Sequence, residues 1–370
     1  MAGAQRHWHL PSSTRLDMDT IDDSQPIVPR GFNLDTLLRY ASRTIRSPLI
    51  SYLVVNSLSH RLHGIHAKDK IAATAALWTA TALVLPTAGK LLGRLFGPRQ
   101  QQVQWADEIV VVTGGSHGVG LELVKRLLRA GARVAILDVS PFPLDDERVS
   151  GQWRHYQCDI VDLEQVKKAS AMIREDLGDP TMLVNNAGVV VGKLLLDMAD
   201  SEVDKVLNVN LTSQFHLIRQ FLPAMIRKRR GHIVSIGSIV SFAGTPQATT
   251  YCATKGGVKL LHESLRREVA SRYEANDVQF TIAYPGVIST GLFAGLDLGQ
   301  FFLPTLRPDS LARAIFEALG SGRGQEIYMP KIANVLSVLY AFPQHLRTRI
   351  INLLTSGDTA MGNFSGHTKY

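Results

Sequence analysis

The run Thr113-Gly114-Gly115-Ser116-His117-Gly118-Val119-Gly120 directly follows the apolar stretch Ile109-Val110-Val111-Val112. A short buried strand, closely spaced glycines and then a helical pattern is an arrangement that holds a dinucleotide pyrophosphate. Backbone N–H groups must approach the phosphates, a Cβ would block them, and the next helix turns its N-terminus to the anion. Val119, Leu123, Leu127 and Leu128 recur at helical spacing, so the loop opens a helix. The spacing Gly-x3-Gly-x-Gly departs from the commoner Gly-x-Gly-x-x-Gly, and alone it is also what a glycine-rich turn in any strand–turn–helix unit would show.

Asp138 adds weight. It ends the next apolar run, Val134-Ala135-Ile136-Leu137, about 20 residues past the glycines, where a carboxylate can accept hydrogen bonds from the adenosine ribose. Its charge would repel a ribose 2′-phosphate, and the next basic residue is Arg148. NAD is therefore expected over NADP, with His117 as the one nearby group able to offset the repulsion.

A second group lies in the other half of the chain. Tyr251 and Lys255, in Tyr251-Cys252-Ala253-Thr254-Lys255, are four apart at the start of a predicted long helix. A phenol and an ammonium at that spacing share one face and can reach a common site. In a chain with nine tyrosines such a pair arises by chance, so its neighbours decide its meaning. Ser238 ends the strand pattern Ile233-Val234-Ser235-Ile236-Gly237, where parallel sheets place ligands. Asn210 falls inside a helical pattern, a poor position for asparagine unless its side chain has another task.

With Asn185-Asn186-Ala187-Gly188 and Pro285-Gly286 followed by Thr290, these elements resemble the short-chain dehydrogenase/reductase family over residues 108–330. The resemblance implies a catalytic group of Asn210, Ser238, Tyr251 and Lys255. Tyr251 would exchange the hydroxyl proton as a hydride passes to or from a nicotinamide, with Lys255 and the positive ring lowering its pKa. Ser238 would hold the substrate oxygen, Lys255 the nicotinamide ribose, and Asn210 a water that relays protons. The cofactor would lie against Gly114, Ser116, His117, Gly118, Val119, Gly120 and Asp138. Asp159 would contact the adenine, Asn186, Ala187 and Gly188 would line the cofactor, and Thr290, beyond Pro285 and Gly286, would reach the carboxamide. Dimerisation through helices at 202–228 and 250–273 is implied in the same way.

The elements that must position these residues are legible. From Ile109 apolar runs alternate with helical patterns, implying a doubly wound, Rossmann-type parallel sheet. Strands are expected at 109–113, 132–138, 154–157, 181–185, 231–237, 278–284 and 325–328, and helices near 119–130, 162–176, 202–228, 250–273 and 308–320. The chain then divides into a disordered stretch 1–30, a hydrophobic helical segment 31–100, a catalytic domain 101–330 and an amphipathic extension 331–370.

Composition narrows the partners. The 370 residues include 45% hydrophobic positions and carry a net charge of +8. Residues 1–100 hold 12 Lys/Arg against 6 Asp/Glu, leaving the remainder almost neutral, with no basic face for nucleic acid. Cys158 and Cys252 exclude a disulfide framework, and neither they nor the scattered histidines have metal-ligand spacing. Ile71 to Gly89 runs 19 residues without a charge. As a helix it would reach roughly 28 Å, close to a bilayer's hydrocarbon thickness. Lys68 and Lys70 flank it on one side, Lys90, Arg94 and Arg99 on the other. Membrane attachment is expected, against the plainer reading of helices packed on the main domain. The polar, charged first 47 residues show no cleavable signal peptide.

Between Thr290 and Pro304 the apolar Gly-Leu-Phe-Ala-Gly-Leu-Asp-Leu-Gly-Gln-Phe-Phe-Leu suits a lid over a lipid-like substrate, or an ordinary core helix. The whole chain, including Met361-Gly362-Asn363-Phe364-Ser365-Gly366, resembles the membrane- and lipid-droplet-associated branch with 17β-hydroxysteroid and retinol dehydrogenases, although its N-terminal part is longer. The expectation is an enzyme of the endoplasmic reticulum or lipid droplet, its catalytic domain cytosolic, acting on a hydrophobic alcohol or ketone such as a sterol, retinoid or long-chain alcohol. The rivals are an NADPH-dependent ketoreductase of lipid synthesis and a non-catalytic membrane scaffold that retains the cofactor fold.

Overall fold

The structure, a computed structural model, describes residues 101–143, 152–290, 292, 304–331, 343–345 and 347–349. Its apolar runs pair into one parallel sheet of seven strands. These are β1 Ile109–Thr113, β2 Arg133–Asp138, β3 Trp153–Gln157, β4 Met182–Asn185, β5 Gly231–Ile236, β6 Val278–Pro285 and β7 Glu326–Met329. The spatial order is β3-β2-β1-β4-β5-β6-β7.

Strand β1 shows why the runs read as continuously apolar rather than alternating. Ile109 and Val111 enter a layer with Ile173, Leu217 and Phe221, while Val110 and Val112 enter the opposite layer with Leu123, Leu127 and Ile315. Both faces of a parallel sheet are covered by helices, so neither face needs polar side chains. Helices α1 Gly118–Arg129 and, later in the chain, Pro308–Gly320 cover the second face. Helices α2 Leu163–Asp176, Ser213–Lys228 and Thr249–Ser271 cover the first. In chain order, α3 is Asp200–Leu207, α4 Ser213–Lys228, α5 Thr249–Ser271 and α6 Pro308–Gly320.

One expectation is corrected here. The helix read across 202–228 is interrupted: α3 and α4 are joined by a π-helical turn, Asn208–Thr212. Asn210 causes the interruption by bonding outside its own helix, with its carboxamide paired to the backbone of Val189. Ser213 contributes by donating its hydroxyl to the carbonyl of Val209 at 2.7 Å.

The strand order places the site. From β1 the chain builds outward through β2 and β3, then returns to β4 on the other side. The order therefore reverses between β1 and β4, the switch point at whose C-terminal ends a parallel sheet places its ligand crevice. The opposite end receives the chain from its N-terminal side. Gln101 donates its N–H to the carbonyl of Gly322 at 2.9 Å and its side-chain amide to that of Asp277, and Trp105 stacks on Phe316 at 4.7 Å.

Among the described residues no helix is long and apolar enough to cross a membrane. The stretch 1–100, most of the apolar segment between Thr290 and Pro304, and most of the C-terminal extension lie outside the described residues.

Candidate active site

The glycine turn is built by exclusion of side chains. Gly114 and Gly118 adopt φ of +64° and +52°, the left-handed region that favours glycine. A Cβ on Gly120 would lie 2.1 Å from the carbonyl oxygen of Gly114, so α1 starts hard against the turn only because that position is bare. Val119 is buried in the core, Ser116 is fully buried, and His117 is exposed in extended conformation at the N-cap of α1. The first-turn amides of α1 have no carbonyl of their own helix to bond, which leaves them as donors for an anion.

The segment after β4 is stitched to this turn. The Asn186 carboxamide donates to the carbonyls of Thr113 at 2.9 Å and Gly114 at 3.1 Å. The hydroxyl oxygen of Thr113 accepts the N–H groups of Asn186 and Ala187, each at 3.0 Å. From the far side of the sheet, the Thr290 methyl would lie 3.2 Å from a Cβ on Gly118. A cradle that side chains would fill, floored by donors, fits a pyrophosphate.

Asp138 already has two duties. One carboxylate oxygen accepts the N–H of Ser116 and the other that of Ser140, each at 2.9 Å. It thereby ties the glycine turn to the end of β2, and each oxygen keeps a further lone pair for a ribose hydroxyl. Asp159 stands apart: it is exposed beyond β3, with Oδ1 accepting the N–H of Val161 at 3.0 Å.

The other four predicted residues converge beside the crevice. Tyr251 and Lys255 are buried on α5 and face the sheet, with the ammonium 5.5 Å from the phenol's ring centre. Lys255 Nζ donates to the carbonyl of Ile236 at 2.7 Å. Ser238 caps a short 3-10 turn, Ile239–Ser241, and its side chain hydrogen-bonds the Tyr251 phenol. Its hydroxyl also reaches the carbonyl of Pro285 at 3.4 Å, and Gly286 donates its N–H to Met329 at 2.7 Å, joining β6 to the end of β7. Gly188 lies between two of the group: a Cβ there would meet Asn210 Oδ1 at 3.4 Å and Lys255 Nζ at 3.8 Å.

Asn210 is fully buried, and its carboxamide is committed to protein groups. Oδ1 accepts the N–H of Val189 at 2.8 Å, while Nδ2 donates to the Val189 carbonyl at 2.8 Å and to Thr254 Oγ1 at 3.2 Å. Its own carbonyl accepts the Gln214 amide at 3.0 Å. The side chain thus holds the chain after Gly188 against α5.

The surroundings of Tyr251 act on its phenol in opposing ways. Burial holds its phenol well above the ordinary tyrosine value; the Ser238 hydrogen bond opposes this and Cys252 adds to it. In the protein alone desolvation therefore outweighs every lowering influence on the phenol. Burial also pulls Lys255 down, to about 8. The sequence reading passed over Ser241 and Thr254, which join these elements. Small hydroxyl residues at such positions are common, so only the Ser-x-x-Ser spacing of a turn hinted at the first.

This Rossmann-type α/β fold, with a glycine turn after its first strand and a tyrosine–lysine pair beside the crevice, defines a broad class of nucleotide-binding folds. The particular family follows from comparison: residues 108–299 match the family model for short chain dehydrogenases, and the chain belongs to that family of oxidoreductases. It is similar to Dehydrogenase RED2 of Cochliobolus heterostrophus, 40% identical over 181 residues that cover 49% of this chain and 68% of that one. It is similar to human Epidermal retinol dehydrogenase 2, 32% identical over 244 residues, 64% of this chain and 78% of the relative. Among solved structures, a short chain dehydrogenase from Burkholderia cenocepacia in complex with NADP shares 27% identity and a TM-score of 0.57, covering 67% of this chain and 99% of that one.

Proposed function

We propose that this chain moves a hydride between a nicotinamide dinucleotide and a hydrophobic alcohol or ketone, with Tyr251 exchanging the hydroxyl proton. The observation that carries the reading is the buried cluster in which Ser238 hydrogen-bonds Tyr251 while Lys255 sits 5.5 Å from the phenol ring. Bound in the cradle, the nicotinamide supplies the hydride acceptor or donor. Tyr251 takes the proton from an alcohol oxygen or returns it to a carbonyl oxygen. Ser238 hydrogen-bonds that same oxygen and fixes its distance to the phenol. Lys255 holds the nicotinamide ribose and favours phenolate through its charge. Asn210 keeps Gly188 and α5 in register.

For the dinucleotide, Asp138 favours NAD, because its carboxylate would stand against a 2′-phosphate. NADP is the competing choice, and the ratio of the two in kinetics decides between them. Similarity to a relative named for retinol supports a lipophilic substrate, such as a retinoid, sterol or long-chain alcohol. The apolar residues between Thr290 and Pro304 support it too. The uncharged stretch Ile71 to Gly89 supports attachment to a membrane or lipid droplet of the endoplasmic reticulum system, with the catalytic domain cytosolic. Exposed Phe215 on α4 and Leu260 on α5 support a homodimer through those helices.

The test is oxidation of all-trans-retinol, a sterol and 1-dodecanol, and reduction of the matching carbonyls, with NAD(H) and NADP(H). Turnover of at least one pair by the wild type, abolished in Tyr251→Phe, is expected. Undiminished turnover in that variant would remove Tyr251 from the chemistry.

A further inference from the structure

Ser241 lies three residues past Ser238, at the end of the short turn that Ser238 caps. Its hydroxyl donates to the main-chain carbonyl of Lys255 at 2.9 Å and accepts the N–H of Ser238 at 3.3 Å. Its own N–H donates to the Ser238 carbonyl at 3.0 Å. One small side chain thus touches the backbone of two residues that come from different elements and meet in the crevice.

We propose that Ser241 is a positioning residue that sets the Ser238 hydroxyl against the Tyr251 phenol by clamping the turn after β5 onto α5. The proposal rests on the catalytic reading of Ser238, Tyr251 and Lys255. The next residue shows why a hydroxyl is needed. Phe242 is buried, tilted on Tyr284 at 4.7 Å, stacked near Tyr328 at 6.1 Å and covered by the Lys259 ammonium at 5.7 Å. Non-directional packing keeps the far end of the turn in place but does not fix how far along α5 the near end sits. The Ser241 hydroxyl does, because a hydrogen bond is directional and its acceptor belongs to the lysine of the pair. Removing the hydroxyl leaves Phe242 packed and the Lys255 carbonyl within its helix, while the Ser238 amide loses its acceptor. The expected loss is in alignment, to which reacting groups are very sensitive.

The experiment compares full-length wild type, Ser241→Ala, Ser241→Thr and Tyr251→Phe. Steady-state oxidation of all-trans-retinol with NAD is measured across pH, together with NADH affinity by fluorescence and amide exchange over residues 237–242. Ser241→Ala should lower kcat roughly tenfold with the KM for NAD and the NADH affinity unchanged. It should also move the rising limb of the pH profile to higher pH, because Ser238 then stabilises the phenolate less. Exchange of the Ser238 amide should quicken about tenfold, independently of turnover. Ser241→Thr, which keeps the hydroxyl, should restore each readout. Unchanged kcat, pH limb and exchange in Ser241→Ala, with Tyr251→Phe inactive, would overturn the proposal alone. A fall in kcat matched by an equal fall in NADH affinity, with the pH limb unmoved, would show general loosening and overturn it as well. Full activity in Tyr251→Phe would instead remove the catalytic reading beneath it.

Discussion

The Lys255 ammonium donates to the carbonyl oxygen of Ile236 at 2.7 Å, which pins the helix carrying Tyr251 to the strand leading to Ser238. The same ammonium is buried, and desolvation pulls it down to about 8. Because the folded value lies below the unfolded one, the charged lysine opposes folding at pH 7, and this cost shrinks as pH rises from about 8 toward the ordinary lysine value. Lys255→Met should therefore melt higher than wild type at pH 7 while losing activity, and the difference should narrow by pH 10. Thermal unfolding at the two pH values checks this. A variant that melts lower at pH 7 would mean the Ile236 hydrogen bond outweighs the desolvation.

The glycines of α1 and α5 make a contrasting pair. A Cβ on Gly120 would meet the Gly114 carbonyl oxygen at 2.1 Å, so Gly120→Ala must open the turn. It should cost about 1–3 kcal/mol of stability and weaken NADH binding about tenfold or more. Gly256, in the interior of α5 beside Lys255, has nothing within 4 Å of its Cβ position. Gly256→Ala should stabilise the protein by about 0.5–1 kcal/mol. Chemical denaturation and NADH titration of both variants read the contrast, and equal effects would contradict the packing described here.

Much of this was readable from the residues alone, and the exceptions have physical causes. All seven expected strands form; the central ones, buried on both faces, show as unbroken apolar runs such as Ile109–Val112, while the edge strands β3 and β7 are more exposed and more polar. Ends move by a residue: β3 begins at Trp153 and β6 ends at Pro285. Tyr251 and Lys255 share one face of α5, as their spacing of four implied, with the ammonium 5.5 Å from the phenol ring. The break at Asn208–Thr212 was not legible, because it depends on Val189, a partner 21 residues away. The raised phenol of Tyr251 was equally hidden: a motif names the groups present, while burial is set by every element packed around them.

Asp138 offers a test of cofactor choice that keeps one of its two hydrogen bonds to the backbone. Since its two oxygens accept the N–H groups of Ser116 and Ser140, truncation would disturb the loop as well as the charge. Asp138→Asn removes the charge and keeps one acceptor. The ratio of kcat/KM for NADP over NAD should rise about tenfold or more, in line with losing repulsion of a phosphate at hydrogen-bonding range. A ratio that does not move would show that Asp138 acts only on the turn.

The membrane proposal rests on residues 31–100, and the sheet end where Gln101 is anchored lies opposite the catalytic cluster. Removing 31–100 should shift the protein from the membrane pellet to the supernatant of fractionated cells without disturbing the sheet. Retention in the pellet would transfer the attachment to another part of the chain.

The phenol of Tyr251 carries the proposed proton transfer, and one comparison reads it most directly. Turnover of a lipophilic alcohol and NADH affinity should be measured side by side for wild type and Tyr251→Phe. Loss of turnover by roughly 100-fold or more, with NADH binding as in the wild type, is the predicted result. Turnover equal to wild type in the phenylalanine variant would contradict it.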